Sequence, residues 1–277
     1  MRTIVHLSDL HFGRVDESVV QPLVRQIVGL HPHLVAISGD LTQRARTWQF
    51  QAARQFLDSL PRPQIVVPGN HDVPAYNLFR RFLDPLRKYR LNITGDLLPG
   101  YVDDSFAVFG LNSTLSLTTK YGELRQSDIA VVCEKLHQLP EGITKVVVCH
   151  HPFDIPPDHT ERDLIRSASG AMRAFAECGV DLILTGHLHL SHISRTAQRY
   201  RIPGYSALMV QAGTAISNRQ RGELNSFNVL RLQGSSAAVE TMGWDQNTSD
   251  YVLLRTEEFK KKSDGWALSS SAGNVIE

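Results

Sequence analysis

The stretch Thr3-Ile4-Val5-His6-Leu7-Ser8-Asp9-Leu10-His11 decides the fold: a β-forming run leads directly into an aspartate and a histidine two positions apart. A short run of bulky, largely apolar residues without alternation is the pattern of a strand covered on both faces. The arrangement recurs twice. The run 34–37 leads into Ser38-Gly39-Asp40, and the run 65–67 leads into Pro68-Gly69-Asn70-His71-Asp72. Between them, residues 18–30 place Val19, Val20, Leu23, Ile27 and Leu30 at helical spacing. Residues 47–60 read as a second amphipathic helix, stopped by Pro61 and Pro63. Strand, helix, strand, helix, strand predicts a largely parallel, buried sheet with right-handed crossovers, hence an α/β fold.

Further along, residues 74–90 look helical and basic, 106–111 form a strand and 127–139 a helix. Strands at 145–149 and 182–184 precede His150-His151-Pro152 and Gly186-His187-Leu188-His189, with a short helix over 171–178 between them. After residue 205 strands follow without helices, at 207–211, 225–232, 237–242 and 251–254, which suggests a second sheet packed on the first. Residues 260–277, with Lys260-Lys261-Lys262 and Ser269-Ser270-Ser271, read as a mobile tail. The expected layout is a main domain over 1–244 and a C-terminal extension over 245–277, with no separable linker.

Composition narrows the function classes. With 29 basic and 28 acidic residues the net charge is +1, which gives no electrostatic footprint for nucleic acid or an anionic membrane. No run of about 18 apolar residues is present, so no membrane span is expected. Polar residues from His6 onward interrupt any signal-peptide core. Cys133, Cys149 and Cys178 do not suggest a disulfide framework; buried thiols in a reducing, cytoplasmic compartment are expected.

The chemistry lies in the blocks. Asp9, His11, Asp40, Asn70, His150, His187 and His189 occur in five short motifs, nearly all directly after a strand. Strand ends converge at one edge of an α/β sheet, so residues distant in sequence can meet there. In Gly186-His187-Leu188-His189, side chains two apart share a face of an extended chain. Any one block is ordinary turn chemistry; five in order point to two metals.

This set resembles the calcineurin-like metallophosphoesterase superfamily, and within it the bacterial class III cyclic-nucleotide phosphodiesterases and glycerophosphodiesterases. The likeness spans about residues 3–232. It implies a four-layer α/β/β/α sandwich of two mixed sheets flanked by helices. It also implies that one ion is held by Asp9, His11, Asp40 and His189 and the other by Asp40, Asn70, His150 and His187, with Asp40 bridging. The first histidine of His150-His151 is the usual ligand. Mixed oxygen and nitrogen ligation suits Mn, Fe or Zn. Between ions about 3.5–4 Å apart, a bridging hydroxide would attack phosphorus in line. Departures narrow the class. Leu41-Thr42-Gln43 replaces the Arg-Gly that follows the second aspartate in Ser/Thr phosphatases, and Asp72 stands where those enzymes end the block in Glu. Gln43 also stands where purple acid phosphatases carry a metal-binding Tyr. Only 45 residues follow Leu232, too few for the DNA-capping domain of repair nucleases.

His71 is expected to face the substrate as an imidazolium acid, with Asp72 accepting a hydrogen bond from its ring. In 213–223, Arg219 or Arg221 could hold a phosphate or carboxylate. His6 and His192 read as structural, and Arg80, Arg81, Arg87, Lys88 and Arg90 as the wet face of a helix. The expected function is hydrolysis of small phosphodiesters, cyclic nucleotides foremost. A nuclease or nucleotide-lipid pyrophosphatase is the alternative within the superfamily, and an inactive metal-binding interaction module the alternative outside enzymes. A second copy of the chain, in a homo-oligomer, is an open partner.

Overall fold

The computed structural model describes residues 1–75, 78–118, 120–157, 159–219 and 222–273. The opening forms as predicted: β1 (Arg2–Leu7), α1 (Glu17–Gly29), β2 (Leu34–Ile37), α2 (Thr47–Asp58) and β3 (Gln64–Val66), with the three strands parallel. Then come α3 (Leu78–Leu83), α4 (Arg87–Asn92), β4 (Gly100–Val102), β5 (Phe106–Gly110) and α5 (Gln126–His137). β6 (Thr144–Val148), α6 (Ala168–Cys178), β7 (Leu182–Thr185), β8 (His192–Arg195), α7 (Thr196–Arg199) and β9 (Leu208–Gln211) follow. An antiparallel meander closes the order: β10 (Ser226–Gln233), β11 (Ser236–Asp245), β12 (Asp250–Lys262) and β13 (Gly265–Gly273).

Two mixed sheets result, in the orders β13-β12-β11-β10-β1-β2-β3 and β4-β5-β6-β7-β9-β8. Alternation along each strand builds the layers. Ile4, Ala36 and Ile65 face Val108, Val146 and Leu184 across the space between the sheets. Val5, Leu7, Val35 and Ile37 face the opposite way, onto Val19, Leu23 and Ile27 of α1 and Phe50 and Leu57 of α2. On the second sheet Val147 and Ile183 turn outward to Ile129 and Val132 of α5 and Met172 and Phe175 of α6. The layers are therefore helix, sheet, sheet, helix, as expected. No helix among the described residues is long and apolar enough to cross a membrane.

Four expectations need correction. First, of the late strands only the one at 207–211 joins the second sheet. That sheet comes from residues 100–211, while β10 pairs antiparallel with β1, Arg2 opposite Leu232, and so extends the first sheet. Strand patterns reveal a meander but not the edge it joins. Second, the stretch to Gly273 is not a mobile tail: Phe259 and Trp266 are buried, and β13 pairs with β12. Residues 274–277 lie outside the described residues. Third, Arg81 is buried rather than wet; its guanidinium donates to the carbonyls of Ser116, Thr118 and Pro74. Fourth, Cys133 of α5 and Cys178 of α6 are paired in a disulfide, and only Cys149 is free and buried. The two helices pack side by side, a proximity that a sequence separation of 45 hides.

Candidate metal centre

Because β1, β2 and β3 run parallel, as do β5, β6, β7 and β9, their C-terminal ends open toward one edge of the sandwich. The loop after β1 carries Asp9 and His11, that after β2 Asp40, that after β3 Asn70, that after β6 His150, and that after β7 His187 and His189. All seven are buried. Five adopt left-handed backbone: Asp9 (φ 52°), His11 (47°), Asp40 (52°), His187 (78°) and His189 (62°). Such a conformation is costly for a histidine and persists only where surroundings over-determine it. Here they do: Asp9 N donates to Gly39 O at 3.1 Å, His11 N to Asp40 O at 2.9 Å, and His187 N to Asp9 Oδ2 at 2.9 Å. Two neighbouring glycines are required by close approach. A Cβ at Gly69 would collide with the Asp40 carboxylate, and one at Gly186 with Ser8 Oγ and Asp9 Oδ2.

The side chains form two clusters. In the first, His11 Nε2 lies 3.1 Å from His189 Nε2, 3.5 Å from Asp9 Oδ1 and 3.7 Å from Asp40 Oδ2, and His189 Nε2 lies 3.3 Å from Asp9 Oδ1. In the second, Asn70 Oδ1 is 3.0 Å from both His150 Nε2 and His187 Nδ1, and His150 Nε2 is 3.4 Å from Asp40 Oδ1. Asp40 turns one oxygen to each cluster. Burial pushes His11 down to about 4 and His187 well below the usual imidazole range, so both are neutral rings with a lone pair to offer. Burial alone would raise Asp9, but His189 and His11 outweigh it and hold the carboxyl well below its usual range. Asp9 Oδ1 is buried with no hydrogen bond among the described residues. A charged oxygen ringed by imidazole nitrogens fits a cation's ligand set better than a hydrogen-bond network.

Proximity also groups His151 with His150 and His187. Its ring is nevertheless committed to the protein, Nδ1 to Ser113 Oγ at 2.8 Å and Nε2 to Lys120 O at 3.1 Å. His6 bonds Ser38 Oγ at 2.9 Å inside the core, and His192 faces Asp154 at 3.4 Å.

The mouth differs from expectation. Asp72 does not touch the His71 ring. Its carboxylate accepts from Gly69 N, Leu41 N, Thr42 N and Thr42 Oγ1, at 2.9, 3.1, 2.9 and 2.9 Å, bracing two loops to each other. The short helical turn at Asn70–Asp72 rotates neighbouring side chains apart, so adjacency in sequence misleads. His71 instead directs Nδ1 to Gln43 O at 2.9 Å and Nε2 to Arg219 Nη1 at 3.0 Å. Arg221 lies outside the described residues. Gln43 and Ser113 were missed as partners of the site's histidines; one acts through a backbone carbonyl and the other through a hydroxyl, which leaves no sequence signature.

A calcineurin-like phosphoesterase family profile matches residues 2–191. Glycerophosphodiester phosphodiesterase GpdQ of Enterobacter lignolyticus is 30% identical over 202 residues, 67% of this chain and 70% of that protein. The 3',5'-cyclic adenosine monophosphate phosphodiesterase CpdA of Escherichia coli K12 is 23% identical over 201 residues, 67% of this chain and 69% of that protein. Purple acid phosphatase PPD1 from yellow lupin superposes with a TM-score of 0.62 at 11% identity, covering 87% of this chain and 51% of that one, a likeness of fold alone.

Proposed function

Because the chain belongs to the calcineurin-like phosphoesterase family and is a metal-dependent phosphodiester hydrolase, we propose that it cleaves small phosphodiesters with two divalent cations. Asp9, His11, Asp40 and His189 hold the first; Asp40, Asn70, His150 and His187 hold the second. The observation carrying this reading is the Asp40 carboxylate, with one oxygen directed at each cluster. When bound, two such cations would supply Lewis acidity and would lower the pKa of water at the site.

The protein's part is to aim the ligands. The carbonyl of Ser38 takes the Nδ1 hydrogen of His150 at 2.8 Å, and the carbonyl of Arg219 that of His189 at 2.8 Å, so each ring turns its Nε2 lone pair inward. Two divalent cations outweigh the charge of Asp9 and Asp40, leaving a centre that attracts a phosphate anion. The oxygen and nitrogen donors suit Mn, Fe or Zn over Mg. Cyclic nucleotides and glycerophosphodiesters are the leading substrates, because relatives named for both are similar to this chain.

The test is turnover of bis(p-nitrophenyl) phosphate by chelator-stripped protein reloaded with Mn²⁺. It is followed by a panel of cyclic nucleotides, glycerophosphodiesters, sugar-nucleotide lipids and single-stranded DNA. Protein that holds two ions yet turns over none of these would be a binding module instead. Preference for single-stranded DNA would favour the nuclease reading.

A further inference from the structure

Arg219 and His71 form a contact that the two-cation reading leaves unused. The loop before Arg219 is a built platform. Thr214 Oγ1 donates to Asp9 O at 2.7 Å, and Ala215 N donates to Ser8 O at 3.1 Å, tying the loop to the end of β1. Asn225 Nδ2 donates to the carbonyls of Thr214 and Ser217 at 3.3 and 2.9 Å, and Arg219 N donates to Ser217 Oγ at 3.1 Å. Thr214, Ser217 and Asn225 are all buried. The backbone at Arg219 is thus fixed beside the first cluster, where its carbonyl meets the ring of His189.

The side chain then reaches His71 Nε2 at 3.0 Å. Donor and acceptor types settle how that ring is used. A guanidinium only donates, so Nε2 accepts. A carbonyl only accepts, so the ring hydrogen is on Nδ1, facing Gln43 O at 2.9 Å. In this arrangement the His71 ring holds the Arg219 guanidinium at this corner. The corner adjoins both clusters: the His71 ring stands edge-on to His11 at 4.9 Å between centroids, and His71 N donates to Asp40 Oδ1 at 2.8 Å.

We propose that Arg219 binds a non-bridging oxygen of the scissile phosphodiester and that His71, through Nε2, is the positioning residue that aims the guanidinium. The proposal rests on the two-cation reading for its substrate. A diester enters with one negative charge, and the non-bridging oxygens gain charge as the nucleophile adds. A preorganised guanidinium therefore interacts more strongly in the transition state than in the ground state, and its effect falls mainly on kcat. A planar fork of donors also suits two phosphoryl oxygens better than an ammonium does.

The experiment compares Mn²⁺-loaded wild type with Arg219→Ala, Arg219→Lys, His71→Ala and the double variant Arg219→Ala/His71→Ala. Bis(p-nitrophenyl) phosphate is the substrate, and metal content is measured on each protein. Arg219→Ala is expected to keep both ions and lose roughly 10²-fold in kcat, the scale of one oxyanion donor. Added guanidinium ion should recover part of that loss, which a purely structural role would not allow. Arg219→Lys should fall between. The double variant should be no worse than Arg219→Ala, because His71 acts through the arginine. Full activity in Arg219→Ala, or losses that add in the double variant and ignore guanidinium, would overturn the proposal. Calorimetric binding of inorganic phosphate to the same loaded proteins reads the contact without turnover. A wild type that binds phosphate but hydrolyses nothing would strike the functional reading. The arginine would then stand or fall on whether Arg219→Ala weakens phosphate binding.

Discussion

The floor and the mouth of the candidate centre are held in different ways. On the floor, seven buried side chains sit on strand ends, five of them on left-handed backbone that bonds to neighbouring loops. At the mouth, His71 and Arg219 are half-buried and meet each other through their side chains. Over-determined geometry belongs where cations must be gripped, and adjustable geometry where a substrate must enter. Substitution on the floor should therefore remove ions, while substitution at the mouth should alter rate with the ions in place.

Asp40→Ala is the severest way to probe this division. It should lose at least one ion and nearly all turnover, about 10³-fold or more, since charge stabilisation and metal binding go together. Elemental analysis showing both ions retained would undo the bridging role. Gly186→Ala should come next. Its Cβ would collide with Ser8 Oγ and Asp9 Oδ2, so we expect a loss of about 1–3 kcal/mol in urea unfolding and weaker metal retention. Asp72→Ala tests which side of the division Asp72 is on. Leaving Gly69 N, Leu41 N and Thr42 N without their acceptor should cost about 1–3 kcal/mol of stability, with a modest fall in kcat per folded molecule. A stable variant with abolished kcat would instead return Asp72 to the chemistry. The least effect on turnover is expected from Trp266→Ala, far along the meander. It should lower stability by about 3–5 kcal/mol as a buried aromatic and leave kcat per folded molecule unchanged.

The same division explains what could be read without coordinates. The floor was legible because each ligand follows an apolar run, and strand ends of a parallel sheet must share an edge. The five left-handed residues were not, because neither Asp nor His announces such a backbone as Gly does. The mouth was largely hidden. Asp72 follows His71 directly, yet a single helical turn sends the two side chains to different loops. Gln43 contributes a carbonyl, which every residue possesses. Arg81 looked solvated because it lies in a basic run, but three carbonyls from two loops take its donors. Of the sheets, the local parallel pairings were legible, and the partner of β1 on its other side was not. Nothing in residues 226–233 names residues 2–6 as their neighbours.

That last pairing has a consequence for how the molecule is made. β1 lies inside its sheet, with β2 on one side and β10 on the other. A ribosome delivers β2 soon after β1 but β10 only after every strand of the second sheet. At about 5–20 residues per second, the interval between completing β2 and completing β10 is roughly 10–40 s. Throughout it, Ile4, Val5 and Leu7 stand on an open strand edge, the kind of template that recruits other chains. The nascent protein is thus most exposed to mispairing at the strand that leads into its first two candidate ligands.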